Sequence, residues 1–329
     1  MILLKSLRLI ILLVILFGAG LYGLKLVTQP EPTLPINRVS GVDYTVTPIE
    51  LHIPERIQRL PELAIQASSV ILINVDNGNI LYERNNDQSF PVASMSKMMT
   101  ELLVLEAIQQ QKVTWNQTVE VSNYAYTISN SPGFSSVHLQ KGQTYTIREL
   151  FEAMAIHSAN GAAIALAEAV AGSEKDFVLQ MNQKAEEMGF EHTQYVNSTG
   201  LNNKDLGTFY SVGAETDSNR MSAQEVAMLA RHLIQSFPTI LDVIDASTYT
   251  MGQQTFTNTN WMLPTLNVQN LGYEGVDGLK TGFTDEAGYC FAGTVERQGE
   301  RFVSVVMGTS TKTERFSETK RLYEAAFGR

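Results

Sequence analysis

Three short clusters, remote from one another, hold residue types that acyl transfer needs: Ser94-Met95-Ser96-Lys97, Ser158-Ala159-Asn160 and Lys280-Thr281-Gly282. A serine hydroxyl is a poor nucleophile until a base takes its proton. Lysine can be that base only as the neutral amine, and its ordinary pKa is about 10.4. Burial and a second nearby cation both lower that value. Lys97 stands three residues after Ser94, so on a helix the two share a face. Lys280 can be the second cation. A helix start at Ser94 also brings backbone N–H groups and a positive dipole end to the place where an oxyanion would form. Ser158 is suited to relay a proton between Lys97 and a leaving amine. The Asn160 amide can hold a substrate amide as donor and acceptor together. Lys280 and Thr281 can bind a carboxylate, and Gly282 lets a substrate backbone come close. Each cluster alone arises by chance in many proteins. Together they supply nucleophile, base, relay, oxyanion donors and carboxylate anchor.

These residues must be placed by elements that the hydrophobic pattern predicts. The apolar run at 70–75 reads as a buried strand, Asp76-Asn77-Gly78-Asn79 as a tight hairpin turn, and 80–84 as the returning strand. An amphipathic helix is expected over 95–110, with Ser94 at its start. Helical runs at 147–156 and 161–170 leave Ser158-Ala159-Asn160 at their junction. Ser173 with Asp176 opens a helix that Gly189 closes, and Ser222-Ala223-Gln224-Glu225 is a capping box opening another to about residue 235. Strands return at 275–281, 288–296 and 301–308, and a last helix runs over 314–326. Lys280-Thr281-Gly282 is expected to end its strand. The stretch 202–220, rich in Asn, Gly and Asp, reads as a long surface loop. Strands at both ends with helices between them predict one sheet built from the two ends of the chain. Short turns between the late strands make that sheet antiparallel, with a helical region inserted in the middle.

The whole chain narrows the classes. Its 329 residues, 44% of them hydrophobic, allow one large core or two. A net charge of −10 argues against a nucleic-acid partner. His52, His138, His157, His192 and His232 form no H-E-x-x-H pair, so no zinc site is expected, and His157 is read as structural. No phosphate-binding glycine motif occurs, and no cofactor is expected. Cys290 is the chain's one cysteine, so no internal disulfide forms; it reads as a small buried hydrophobe. Lys5 and Arg8 precede an uncharged, mostly Leu, Ile and Val run at 9–24, the shape of an export signal. Gly18-Ala19-Gly20 lies inside that run rather than after it. Residues 1–27 are therefore read as a signal that stays as a membrane anchor, in preference to a cleaved one. Residues 28–63 carry Pro30, Pro32, Pro35, Pro48, Pro54 and Pro61 and read as an extended stalk. Residues 64–329 form the globular part.

The longer motifs add a resemblance. Pro91-Val-Ala-Ser94-Met-Ser-Lys97-Met-Met-Thr100 and Asp277-Gly-Leu-Lys280-Thr-Gly-Phe-Thr284, with Ala287-Gly-Tyr289, resemble those of the low-molecular-mass penicillin-binding proteins. These are the serine D-alanyl-D-alanine carboxypeptidases of bacterial cell-wall synthesis, and the resemblance covers residues 64–329. It implies an α/β (α+β) fold of the β-lactamase/transpeptidase type, an antiparallel sheet flanked by helices with an inserted helical subdomain. It implies removal of the terminal D-Ala from peptidoglycan stem peptides and covalent capture of β-lactam antibiotics. Ser94 would be the nucleophile and Lys97 the base. Ser158 and Lys280 would handle protons, and Asn160 and Thr281 would bind substrate. The backbone N–H of Phe283 would be the second oxyanion donor, and Arg315 would help hold the terminal carboxylate. The protein would sit outside the cytoplasm at the bacterial cell membrane, anchored by its N-terminus or secreted. Many members continue into a β-rich second domain and a C-terminal membrane helix; this sequence ends at Arg329, which puts the expected attachment at the N-terminus.

Two other functions compete. A class A β-lactamase needs a glutamate to activate the deacylating water, in the pattern E-x-x-L-N. Leu201-Asn202 has Ser198 at that place and Leu266-Asn267 has Leu263. A β-lactam ester on Ser94 is therefore expected to persist. An inactive peptidoglycan-binding homologue is disfavoured because all three motifs are intact.

Overall fold

The run Ser69–Asn74 (β1) has no polar alternation, and a strand of that kind must be covered on both faces. In the computed structural model, which describes residues 60–266 and 268–328, it is buried along its whole length. Alternation sends Val70 and Leu72 to one core and Ile71 and Ile73 to another. Gly78, at φ 73°, makes the tight turn into β2 (Ile80–Arg84). The remaining long strands come from the other end of the chain: β3 (Val276–Thr284), β4 (Gly288–Arg297) and β5 (Glu300–Thr309). The sheet order is β2-β1-β5-β4-β3, every pair antiparallel. The two ends of the chain do meet, with Ser69 opposite Met307 and Asn74 opposite Phe302.

Helices cover both faces. On one side lies α1 (Lys97–Gln109) among α2 (Ile147–His157), α3 (Asn160–Ala171), α4 (Glu174–Glu187) and α5 (Ala223–Ser236). The predicted caps are present: Ser173 accepts from the Asp176 N–H, and Ser222 and Glu225 form a complete capping box. On the other face α6 (Glu314–Ala326) packs Phe316, Leu322 and Tyr323 against Leu72, Phe291 and Val306. Leu60 and Leu63, at the end of the segment expected to be a stalk, pack against this second cluster.

Three expectations need correction. Helix α1 is not amphipathic. Its residues from Lys97 to Leu105 are all buried, because it runs between the sheet and other helices rather than along a surface. Ser94 precedes it, in a 3-10 turn over Ala93–Ser96. Strand β3 does not stop at Lys280-Thr281-Gly282 but continues through Phe283 and Thr284, because its pairing to β4 extends to Thr284 opposite Gly288. The stretch 202–220 is not a surface loop throughout. Asn203, Leu206, Ser218 and Asn219 are buried, and Arg220–Met221 pairs with Phe90–Pro91 just before the Ser94 turn. The signal or anchor at 1–27 and all but the last residues of the expected stalk lie outside the described residues. Among the described residues, no helix is long and apolar enough to cross a membrane.

Candidate active site

The Ser94 turn and β3 converge on an open cleft of ≈ 540 Å³. Ser94, Ser158, Asn160, Thr281, Gly282, Phe283 and Arg315 all line it. Lys97 and Lys280 are buried behind that lining. All nine residues expected from the sequence are therefore gathered at one place.

The 3-10 turn keeps the three-residue spacing useful. Lys97 Nζ lies 2.9 Å from Ser94 Oγ, 2.7 Å from Asn160 Oδ1 and 2.6 Å from the Thr199 carbonyl oxygen. A neutral amine suits this set. Its two N–H groups go to Asn160 and Thr199, and its lone pair is left for the Ser94 hydroxyl proton. Burial pushes the Lys97 pKa well below its ordinary value, and the Lys280 charge pushes it further, while Glu101 opposes both. Asn160 commits its carbonyl oxygen to Lys97, so its amide nitrogen is the group it can offer to a ligand.

Ser158 ends α2 in the left-handed region, at φ 64°, where a side chain costs roughly 1–2 kcal/mol. The conformation is fixed from both sides. The Ala159 N–H donates to Ala153 O and the Asn160 N–H donates to Ser135 O. The turn presents Ser158 Oγ to the cleft as a buried hydroxyl with no hydrogen-bond partner among the described residues. A hydroxyl so placed can pass a proton on.

Strand β3 is the edge of the sheet, so one row of its backbone groups is unpaired by any strand. A ligand lying along it can add as a further strand. Gly282 is required by packing: a Cβ there would meet the Val92 carbonyl at 2.7 Å and Ala93 Cβ at 3.3 Å. Thr281 Oγ1 donates to Thr259 Oγ1 at 2.8 Å. Phe283 is 46% exposed, unlike most large apolar residues here, and its ring stacks on Tyr289 at the cleft rim. Arg315 Nη1 donates to the Gly282 carbonyl at 3.0 Å, while its Nε is buried without a partner among the described residues. Burial lowers its pKa to about 10, which leaves it charged at neutral pH. It can thus meet a carboxylate arriving beside β3.

Sequence reasoning missed three contributors. Thr199 acts through its backbone carbonyl, which no residue type announces. Asn197 holds the Thr199 loop: its Oδ1 accepts from Thr199 N, Thr199 Oγ1 and Gly200 N. Glu101 lies one turn beyond Lys97 on α1 and is buried; burial raises its pKa to about 7, against the charges of Lys280 and Lys97. Its spacing of four from Lys97 was a readable signal.

Comparison with known proteins agrees with this geometry. A family model for D-alanyl-D-alanine carboxypeptidases matches residues 56–311. The D-alanyl-D-alanine carboxypeptidase DacF of Bacillus subtilis is 34% identical over 273 residues, 82% of this chain and 64% of that protein. The chain thus spans 64% of the length of this relative. Among solved structures, a peptidoglycan synthesis regulatory factor (PBP3) from Streptococcus pneumoniae superimposes with a TM-score of 0.76 at 38% identity, covering 80% of this chain and 73% of that one. Penicillin-binding protein D2 from Listeria monocytogenes, solved in its cefotaxime-bound form, gives 0.69 at 34% identity, covering 81% of this chain and 99% of that one.

Proposed function

Because the chain belongs to the D-alanyl-D-alanine carboxypeptidase family, we propose that it removes the terminal D-Ala from peptidoglycan stem peptides through an acyl-enzyme on Ser94. One observation carries this reading: the fully buried Lys97 amine, 2.9 Å from a Ser94 hydroxyl that opens onto the cleft. Lys97 takes the Ser94 proton as Oγ attacks the carbonyl carbon of the penultimate D-Ala. Backbone N–H groups of Ser94 and Phe283 hold the oxyanion. Ser158 passes a proton to the amide nitrogen, with Lys280 keeping the local charge positive, and the C–N bond breaks to release D-Ala. Water then cleaves the ester and frees Ser94. Asn160 and Thr281 bind the peptide, Gly282 admits its backbone, and Arg315 attracts its terminal carboxylate.

A β-lactam amide presents a similar carbonyl to the same serine, so β-lactams acylate Ser94. Hydrolysis of that adduct is slow, because the sequence has Ser198, not glutamate, three residues before Leu201-Asn202. Residues 1–27 carry the protein across the membrane and keep it at the outer face, which the basic start and apolar run support. N-terminal sequencing of the mature protein checks this; a start near residue 21 defeats it.

The decisive measurement is intact mass after exposure to penicillin, with peptide mapping. Wild type gains one penicilloyl group on the peptide containing Ser94, keeps it for many turnover times, and releases D-Ala from diacetyl-Lys-D-Ala-D-Ala. Ser94→Ala does neither. Rapid release of penicilloate, or an adduct elsewhere, overturns the assignment.

A further inference from the structure

The cleft carries a cation that the scheme above does not use. Lys312 lines it, in the turn that leads into α6, and Arg315 lines it three residues later. A lysine has a flexible stem and a strongly hydrated head, so an exposed one is ordinarily unplaced. Here Nζ lies 4.2 Å from the centroid of the Trp261 ring, and indole is the ring that holds a cation best. Trp261 is itself braced, because its ring stacks at 5.8 Å on the fully buried Phe316.

The segment that carries Trp261 also reaches the end of the cleft where a carboxylate would sit. Thr259 lines the cleft two residues before Trp261 and accepts the Thr281 hydroxyl at 2.8 Å. Asn260 between them is tied to β3, its Nδ2 donating to the Gly278 carbonyl at 3.2 Å. Thr259, Thr281, Lys312 and Arg315 are thus gathered by one strand edge. Among the described residues neither Lys312 nor Arg315 forms an ion pair. Arg315 is 4% exposed, and its Nε has no hydrogen-bond partner among the described residues. Burial lowers the Lys312 pKa and the Arg315 charge lowers it further, so the two cations feel each other with no carboxylate between them. An anion entering there would satisfy both: the guanidinium as a fork, the ammonium as a point charge.

We propose that Lys312, steadied on Trp261, is a second carboxylate-binding residue beside Arg315, and that the pair selects peptides ending in a free α-carboxylate over those whose C-terminus is blocked. This rests on the acyl-enzyme reading of Ser94. The pair biases the site toward trimming chain ends and against cutting within a chain. The sequence motifs do not announce it, since Lys312 and Trp261 lie outside all three.

The test compares diacetyl-Lys-D-Ala-D-Ala with the same peptide carrying a C-terminal amide, as kcat/KM for wild type, Lys312→Met and Lys312→Arg. Methionine keeps an unbranched apolar stem beside Trp261 and removes the charge. Wild type prefers the acid. In Lys312→Met the acid-over-amide ratio falls about fivefold, the upper end for an exposed ion pair, and the fall lies more in KM than in kcat. Lys312→Arg keeps the ratio. Added salt erodes the wild-type ratio more than that of Lys312→Met, because an exposed cation is screened. An unchanged ratio in Lys312→Met overturns the proposal, even where both rates fall together, as damage to the turn would cause. An equal loss of ratio in Lys312→Arg overturns it too, because charge would then not be the cause. The same ratio is read as affinities by NMR titration in a Ser94→Ala background, where nothing turns over. A wild type that releases no D-Ala therefore strikes the acyl-enzyme reading, while the carboxylate subsite stands or falls by binding.

Discussion

Ser94 lies between two walls that are built differently. On one side β3 is held by its ladder to β4 and by apolar residues such as Leu279 and Val276, which pack on opposite faces of the sheet. On the other, residues 196–203 are held almost wholly by polar side chains. Asn197 satisfies three donors, and Asn219 Oδ1 accepts from Val196 N and Asn197 N. Thr100 Oγ1 donates to Ser198 O at 2.9 Å, and Glu174 accepts from Ser198 N at 2.7 Å. The strand wall draws on many small apolar contacts, none of them indispensable. The polar wall draws on a few hydrogen bonds, each of which leaves a buried group unsatisfied if broken. A site made this way should tolerate the trimming of a single apolar side chain on the strand wall and fail abruptly when a polar side chain is lost on the other.

Asn197→Ala tests the polar wall most severely. It strands the N–H groups of Thr199 and Gly200 and the Thr199 hydroxyl, at roughly 1–3 kcal/mol for each group left buried and unpaired. A loss of about 3–6 kcal/mol in stability is expected by denaturant unfolding, and acylation falls with it because Thr199 no longer holds Lys97. A loss below about 1 kcal/mol, typical of exposed positions, would show that water replaces the asparagine and that the two walls are alike.

Gly282→Ala makes the matching challenge on the strand wall. The added Cβ pushes against the Val92 carbonyl at 2.7 Å, in the segment that leads into Ser94. The clash is with backbone rather than with a flexible side chain, so strand or turn must shift and the melting temperature falls as well. The gap between strand and nucleophile does not absorb that shift. Misplacement of a reacting group on this scale costs about a hundredfold in acylation rate. Stopped-flow capture of a fluorescent penicillin checks this, and a variant that acylates at the wild-type rate would mean that β3 does not set the position of Ser94.

The same contrast explains what was legible beforehand. The periodic elements were readable: β1 and β2 around Asn77-Gly78, the capped helices α4 and α5, and α6 all fall within about two residues of expectation. The three motifs were readable because their chemistry depends on residue type and spacing. Residues 202–220 were misread because Asn and Gly signal a solvated turn when only local sequence is weighed. Their burial comes from partners such as Val212 and Ala214, whose carbonyls take both N–H groups of the Asn203 amide, and that is a tertiary fact. Glu101 escaped for a related reason. A glutamate on a helix is ordinarily at the surface, and only the position of α1 between sheet and helices puts it inside.

Glu174 sharpens the comparison most finely, because it ties the polar wall to pH. It sits in the first turn of α4, and its Oε1 takes the Ser198 N–H. Burial raises its pKa to about 7, with the Ser198 bond opposing. The folded state therefore holds this proton at pH values where the unfolded chain has released it. A carboxyl with a raised folded pKa lends stability below its unfolded value, near 4.5, and that support fades as pH climbs toward 7. Glu174→Gln keeps an oxygen for Ser198 and removes the titration. Relative to wild type, the variant should gain stability between pH 5 and pH 8, by as much as about 2 kcal/mol. Acylation by penicillin at pH 5 should stay near wild type, since the Thr199 loop keeps its anchor. Melting temperatures of both proteins at the two pH values decide the matter. A difference that does not change with pH would mean that water reaches Glu174, and that the polar wall is wetter than its hydrogen bonds imply.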